Sequence, residues 1–188
     1  MQSPVTEIKL VAIGDVDREL IEYLSLTLPG TFGARCVLSA TELNPRAAYN
    51  ETRRQYHSTQ LLQQLHDMAG SGCGKLLGVT DVDLFIPIFT FVFGEAQVGG
   101  SCALMSAHRL HQTFYGLPDD RALLFERVEK EATHELGHAF GLAHCPDFNC
   151  VMRFSNSVEE VDLKASDFCR LCEPKLRQMP DATLAARC

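Results

Sequence analysis

Positive charge is scarce in this chain. Lysine and arginine together number 17 against 24 aspartates and glutamates, a formal net charge of −7 over 188 residues. Binding to nucleic acid needs a basic surface to displace the counterions of the phosphates, so no nucleic-acid partner is expected. The one adjacent arginine pair, Arg53 and Arg54, reads as a solvated helix start. No apolar run approaches the roughly 20 residues that cross a bilayer. The opening MQSPVTEIKLVAIG lacks the basic, apolar and small-residue regions of a signal peptide. The expectation is a cytoplasmic protein with no membrane partner, its oligomeric state unknown. Internal repeats and low-complexity segments are also missing. A phosphate loop is missing too: GSGCGK at residues 70–75 has no Ser or Thr after its lysine, is one residue short, and follows a helix instead of a strand, so it reads as a flexible turn.

What is present is an ordinary globular composition, 46% hydrophobic, in a length that suits one domain spanning residues 1–188. Residues 8–13 (IKLVAI) read as a strand ending at Gly14. Asp15 or Asp17 then caps a helix carrying Leu20, Ile21, Leu24 and Leu28, which Pro29 and Gly30 stop. Residues 32–38 suit a second strand. A helix over residues 52–68 buries Leu61, Leu62, Leu65 and Met68, and residues 75–79 give a third strand. Residues 89–93 and 102–107 are two further β-rich runs separated by Gly99 and Gly100, one of which short loops would turn antiparallel. Pro118, Asp119 and Asp120 open a long helix. After it the chain is rich in turns until a short helix near residues 168–179. The fold class is α+β.

The long helix runs into HELGHAFGLAHCPDFNCVM, residues 134–152. At about 100° per residue, Leu124, Val128, Ala132, Leu136, Ala139 and Phe140 share one apolar arc. His134 and His138 lie together outside it, one turn apart, where two imidazoles can grip one cation. Glu135 lies at the margin of the arc, an expensive place for a carboxylate without a task. Two neutral imidazoles hold Zn²⁺ with positions left open, the metal lowers the pKa of its water to about 7, and the adjacent carboxylate moves the proton. Gly141 can adopt the left-handed conformation that ends the helix and returns His144 as a third ligand. Met152 suits the apolar floor of such a site.

Eight cysteines in a chain expected to be cytoplasmic point to metal before disulfides. Cys145 follows His144 directly, Cys150 lies five residues on, and DFCRLC supplies Cys169 and Cys172. Two pairs of thiolates suit a closed tetrahedral zinc, with Ser166 able to cap a helix at the second pair. A redox Cys-x-x-Cys and a Cys145–Cys150 disulfide are the competing readings. Cys36, Cys73, Cys102 and Cys188 have no such spacing and read as buried or free thiols. Asp81 and Asp83 read as a turn in preference to a calcium site, and His108 and His111 as polar surface or strand-end groups. Nothing in the sequence takes Tyr115 to the cleft.

HELGHAFGLAH, the CPDFNC that continues it, Val151-Met152 and FCRLC together resemble the archaemetzincin family of metzincin-clan zinc metallopeptidases. Weaker similarity runs through RRQYHSTQLL, GVTDVDLFIP and FVFGEA. The resemblance implies a metzincin-like domain: a twisted mixed sheet, a backing helix and an active-site helix over residues 1–141, and a C-terminal part over residues 142–188. It implies two zinc ions per chain, a catalytic one on His134, His138 and His144 and a structural one on Cys145, Cys150, Cys169 and Cys172. Glu135 is then general base and acid, Met152 sits in the Met-turn, and Gly141 supports the third histidine. An edge strand antiparallel to a bound peptide is expected at residues 89–93. Two departures from other metzincins stand out: a cysteine follows the third histidine, and no tyrosine follows Met152. A pro-segment with a metal-blocking cysteine is not expected. The function implied is hydrolysis of peptide bonds in a peptide or protein substrate, with specificity in the wall after Met152, around Phe154 and Val158. The alternative is a zinc-stabilised peptide-binding protein with little or no turnover.

Overall fold

The computed structural model describes residues 7–69 and 74–178. Cys73, Cys188 and most of the turn read at residues 70–75 therefore lie outside the described residues. Glu7–Ile13 (β1), Arg35–Leu38 (β2), Lys75–Thr80 (β5), Gly94–Ala96 (β7) and Cys102–Ser106 (β8) form one sheet in the order β2-β1-β5-β8-β7. Its first four strands are parallel and β7 is an antiparallel edge. A smaller sheet joins Tyr49–Asn50 (β3), Gln55–His57 (β4) and Leu84–Phe85 (β6). Both faces of the parallel strands are covered, as such strands require. Ile8, Leu10, Leu77, Val79, Ala103 and Met105 face helices Arg18–Phe32 (α1) and Arg121–Ala139 (α3). The alternate residues Val11, Ile13, Leu76, Cys102 and Leu104 face Ser58–Ala69 (α2), through Leu61 and Leu65. Period-two alternation along each strand thus assigns every apolar side chain to one of two cores.

Asp17 caps α1, its carboxylate accepting the Glu19 N–H at 2.9 Å. The helix does not stop at Pro29 and Gly30 as expected from the sequence. It runs on to Phe32 and ends at Gly33, whose positive φ of 62° lets its N–H reach the Pro29 carbonyl. Buried Phe32 stacks on Phe140 with ring centroids 5.0 Å apart, and this contact holds the last turn despite the proline. Consequently β2 begins at Arg35 and not at residue 32.

Three further expectations are corrected. Residues 52–57 are not helical: the turn after β3 and then β4 occupy that stretch, α2 begins at Ser58, and Met68 is exposed. Arg53 and Arg54 stand in the turn between those strands. The Arg53 guanidinium donates to the Phe89 and Thr90 carbonyls at 2.8 and 3.1 Å, over the Phe85 ring. Those bonds, with that from Gln55 to Thr90, also explain why residues 89–93 are not a strand: side chains already take carbonyls that a ladder would need. Within the run only Val92 bridges, its N–H bonding the Leu84 carbonyl at 3.0 Å; pairing with β8 starts at the Ser106 N–H to Phe93 carbonyl bond, and β7 is the edge.

Asp120 caps α3, accepting the Leu123 N–H at 3.0 Å. Asp120→Ala is expected to cost about 1 kcal/mol, read as a lower urea midpoint at unchanged slope. After α3, the short helix Val158–Leu163 (α4) stands in the region read as turns, while Cys172–Gln178 (α5) is the short helix expected near residues 168–179. Ser166 does not cap α5; the Cys169 carbonyl receives the Cys172 and Glu173 N–H groups at 3.0 Å. The chelate of Arg127 on Asp162, two bonds of 2.7 Å, ties α4 to α3. No helix among the described residues is long and apolar enough to cross a membrane.

Candidate active site and cysteine cluster

The end of α3 builds the site. With Gly141 at φ 98°, its N–H bonds the His138 carbonyl at 2.7 Å and the Leu142 N–H bonds the Gly137 carbonyl at 2.9 Å, a Schellman turn. The turn delivers the Leu142 carbonyl to His138 Nδ1 at 2.7 Å, while the Val151 carbonyl receives His134 Nδ1 at 2.8 Å. A carbonyl only accepts, so each Nδ1 carries the proton and each neutral ring points a lone pair from Nε2. The two Nε2 atoms lie 3.1 Å apart. Two lone pairs held face to face repel unless a cation lies between them. Zn–N bonds of about 2.0 Å at a tetrahedral angle would separate the nitrogens by about 3.3 Å. Ligand atoms of His134, His138 and His144 all lie within 4.8 Å of one another. Burial holds all three imidazoles below their usual pKa, and so in the form that binds metal.

Glu135 is 6% exposed, and burial pushes its carboxyl well above the usual range, with Glu131 adding to the shift. Its room comes from a residue that the sequence reading passed over. A Cβ on Gly94 of β7 would lie 2.6 Å from Glu135 Cγ and Oε1 and 2.5 Å from the Leu104 carbonyl. Gly94→Ala is expected to lower kcat/KM by about 100-fold, because such a shift of the carboxylate misaligns the reacting atoms. Assay and zinc content measured together check this. Gly137 does the same for Met152: its missing side chain lets the buried thioether rest on the helical turn between the two histidines. Met152 itself lies in a tight turn closed by the Arg153 N–H to the Cys150 carbonyl, 2.9 Å.

His144 faces the cleft beside Phe154, whereas Cys145 next to it enters the cluster of Cys145, Cys150, Cys169 and Cys172. These four are free thiols with all sulfurs within 4.8 Å of one another, so no Cys145–Cys150 disulfide is present. Cys145 and Cys169 Sγ are 3.8 Å apart. Four Zn–S bonds of about 2.3 Å in a tetrahedron would place the sulfurs about 3.8 Å apart. Burial alone would raise Cys169, but N–H groups of Leu171 and Cys172 and the neighbouring thiols bring it down to about 7. The four thiols could thus hold a metal ion. Cys36 and Cys102 are separate thiols that burial raises, Cys36 to about 11.

The cleft has a volume of about 440 Å³ and is lined by β7, the α3 site residues and residues 154–156. Phe154 lines it, but Val158 is in the core. At its floor Lys164 bonds Glu131 at 2.7 Å, with side chains 1% and 4% exposed. Neither residue carried a signal in the sequence. Tyr115 donates to the Arg109 carbonyl and does not line the cleft. Asp83 is chelated by Arg109, and Asp81 pairs with His111, so the two carboxylates brace a turn.

A mixed sheet with an antiparallel edge strand beside a helix that carries paired histidines is the architecture of a metzincin-like zincin domain. The model of peptidase family M54 matches residues 27–178. The archaemetzincin of Methanocaldococcus jannaschii is 40% identical over 92% of this chain and 94% of its own length. That of Archaeoglobus fulgidus is 44% identical over 86% and 94%. The crystal structure of the A. fulgidus protein with malonate superposes with a TM-score of 0.79 at 41% identity, over 90% of this chain and 99% of that one. The archaemetzincin structure from Methanopyrus kandleri gives 0.80 at 36%, over 96% of each. Metalloproteinase-II of Bacteroides fragilis shares only the fold, at 11% identity and a TM-score of 0.57 over 93% of this chain and 53% of that one. The chain belongs to peptidase family M54, the archaemetzincins, and is a zinc metallopeptidase.

Proposed function

We propose that the protein cleaves peptide bonds with Glu135 as general base and acid, His134, His138 and His144 holding a catalytic zinc, and Cys145, Cys150, Cys169 and Cys172 holding a structural one. The observation that carries this reading is the facing pair of Nε2 lone pairs beside a buried carboxylate. Zinc at the histidines supplies Lewis acidity for the scissile carbonyl and the attacking water. The substrate adds as a strand to the open edge of β7, running antiparallel to it, which places its backbone over Glu135. Glu135 takes the proton of the attacking water and passes it to the departing amine nitrogen. The walls around Glu135 raise its basicity by keeping water from its carboxylate, while the histidine Nδ1 bonds lock ring orientation. The protein is read as one domain, residues 142–178 completing a site begun on α3.

The test is to expose a diverse peptide library to the zinc-loaded protein and to Glu135→Ala, and to read new termini by mass spectrometry. Cuts are expected from the wild type alone. A library left intact by a protein that retains two zinc ions would favour the binding-protein alternative.

A further inference from the structure

The buried Lys164–Glu131 pair belongs to neither metal cluster, yet it lines the cleft. Its place along a bound peptide follows from two contacts. Gly94 is against Glu135, and farther along the chain the Gly99 N–H donates to the His138 carbonyl at 2.9 Å. The segment from β7 to Gly99 therefore advances in the same direction as α3. A peptide antiparallel to β7 travels the opposite way, from the His138 end toward the Glu131 end. Glu131 is one helical turn before Glu135. The pair thus meets the residue that follows the scissile bond.

Resting on the peptidase reading, we infer that this subsite selects an uncharged primary amide, the side chain of glutamine or asparagine, with Lys164 donating to its carbonyl and Glu131 accepting from its NH₂. Lys164 has three N–H donors, and Glu131 Oε1 takes one of them. A carboxylate, which only accepts, would bring a second negative charge beside Glu131. A lysine would bring a second positive charge beside Lys164. An apolar side chain would seal the pair from water and offer it nothing, which is how a site built to hydrogen-bond rejects an analogue that cannot. The amide matches one donor and one acceptor held side by side with a separate atom for each, which a hydroxyl, donating and accepting through one oxygen, cannot do. The Ser155 hydroxyl, also on the cleft, is buried with no hydrogen-bond partner and is a further anchor for the same group.

The library experiment tests this when repeated with Glu131→Leu/Lys164→Met. The pair is removed as a unit because losing one partner leaves a buried charge uncompensated. Wild-type cuts are expected to favour Gln or Asn over Met after the scissile bond by roughly 10- to 100-fold. The double variant is expected to lose that preference and to cut before Met or Leu. Ser155→Ala, a small change at the same wall, is expected to weaken the preference several-fold and stands in if the double variant does not fold. Wild-type cuts without amide preference, or a preference that both variants leave intact, would overturn the inference and leave the peptidase reading standing. Binding supplies a readout without turnover. Zinc-loaded Glu135→Gln is titrated with hexapeptides that differ only in a central Gln or Met, and tighter binding of the Gln peptide is expected. Equal binding, or none, would overturn the inference, whereas a wild type that cuts nothing counts against the peptidase reading.

Discussion

Glu135→Gln is expected to lower kcat/KM by about 10²- to 10⁴-fold, the range supplied by a positioned general base and acid. The same variant is expected to keep its zinc and to melt no lower than the wild type. Both follow from burial: glutamine has nearly the shape of glutamate, so the contact with Gly94 survives, and an amide avoids the cost of keeping a charge from water. Kinetics, metal analysis and thermal melting on one preparation separate this outcome from a folding defect. Full activity in the variant would remove Glu135 from the chemistry.

Cys150→Ser is expected to act on folding first. Structural zinc is worth about 10–16 kcal/mol in isolated zinc-finger peptides, so losing a thiolate should destabilise the protein by more than the few kcal/mol typical of one substitution. Metal analysis should find one zinc fewer per chain, and urea unfolding a much lower midpoint. The active site should feel the loss. The Cys145 N–H bonds the Met152 carbonyl at 2.9 Å, and the adjacent Val151 carbonyl orients His134. Loosening such a supporting bond usually costs 10- to 100-fold in metal affinity, and competition with a chelator measures it. Cys36→Ser, far from these contacts in spacing and partners, serves as the control.

The elements legible in the sequence are those whose signal is local. β1, β5 and β8 are apolar runs, α3 is a long amphipathic pattern with an aspartate at its start and a glycine after its end, and HELGHAFGLAH is contiguous. The structure brings its three histidines together, as it does two cysteine pairs separated along the chain. What escaped depends on tertiary contacts. The Gly94–Ala96 edge has almost no β propensity and exists because β8 pairs with it. The aromatic run before it looked like the better strand, but Arg53 and Gln55 had claimed its carbonyls. Pro29 failed to end α1 because Phe32 packs on Phe140, more than a hundred residues away. Lys164 and Glu131 are 33 residues apart, and no spacing rule joins them.

The open border of β7 has a second consequence. A row of unpaired backbone groups that welcomes a peptide also welcomes the same strand of a neighbouring molecule, the route by which sheet proteins stick to one another. Two features keep that row short of hazardous. The strand is three residues long, and its middle side chain is an acid, Glu95, held by the hydroxyls of Ser58 and Thr59. Lengthening the strand to gain grip on substrate would extend the same sticky margin, so solubility sets an upper bound on how strongly this border can hold a peptide.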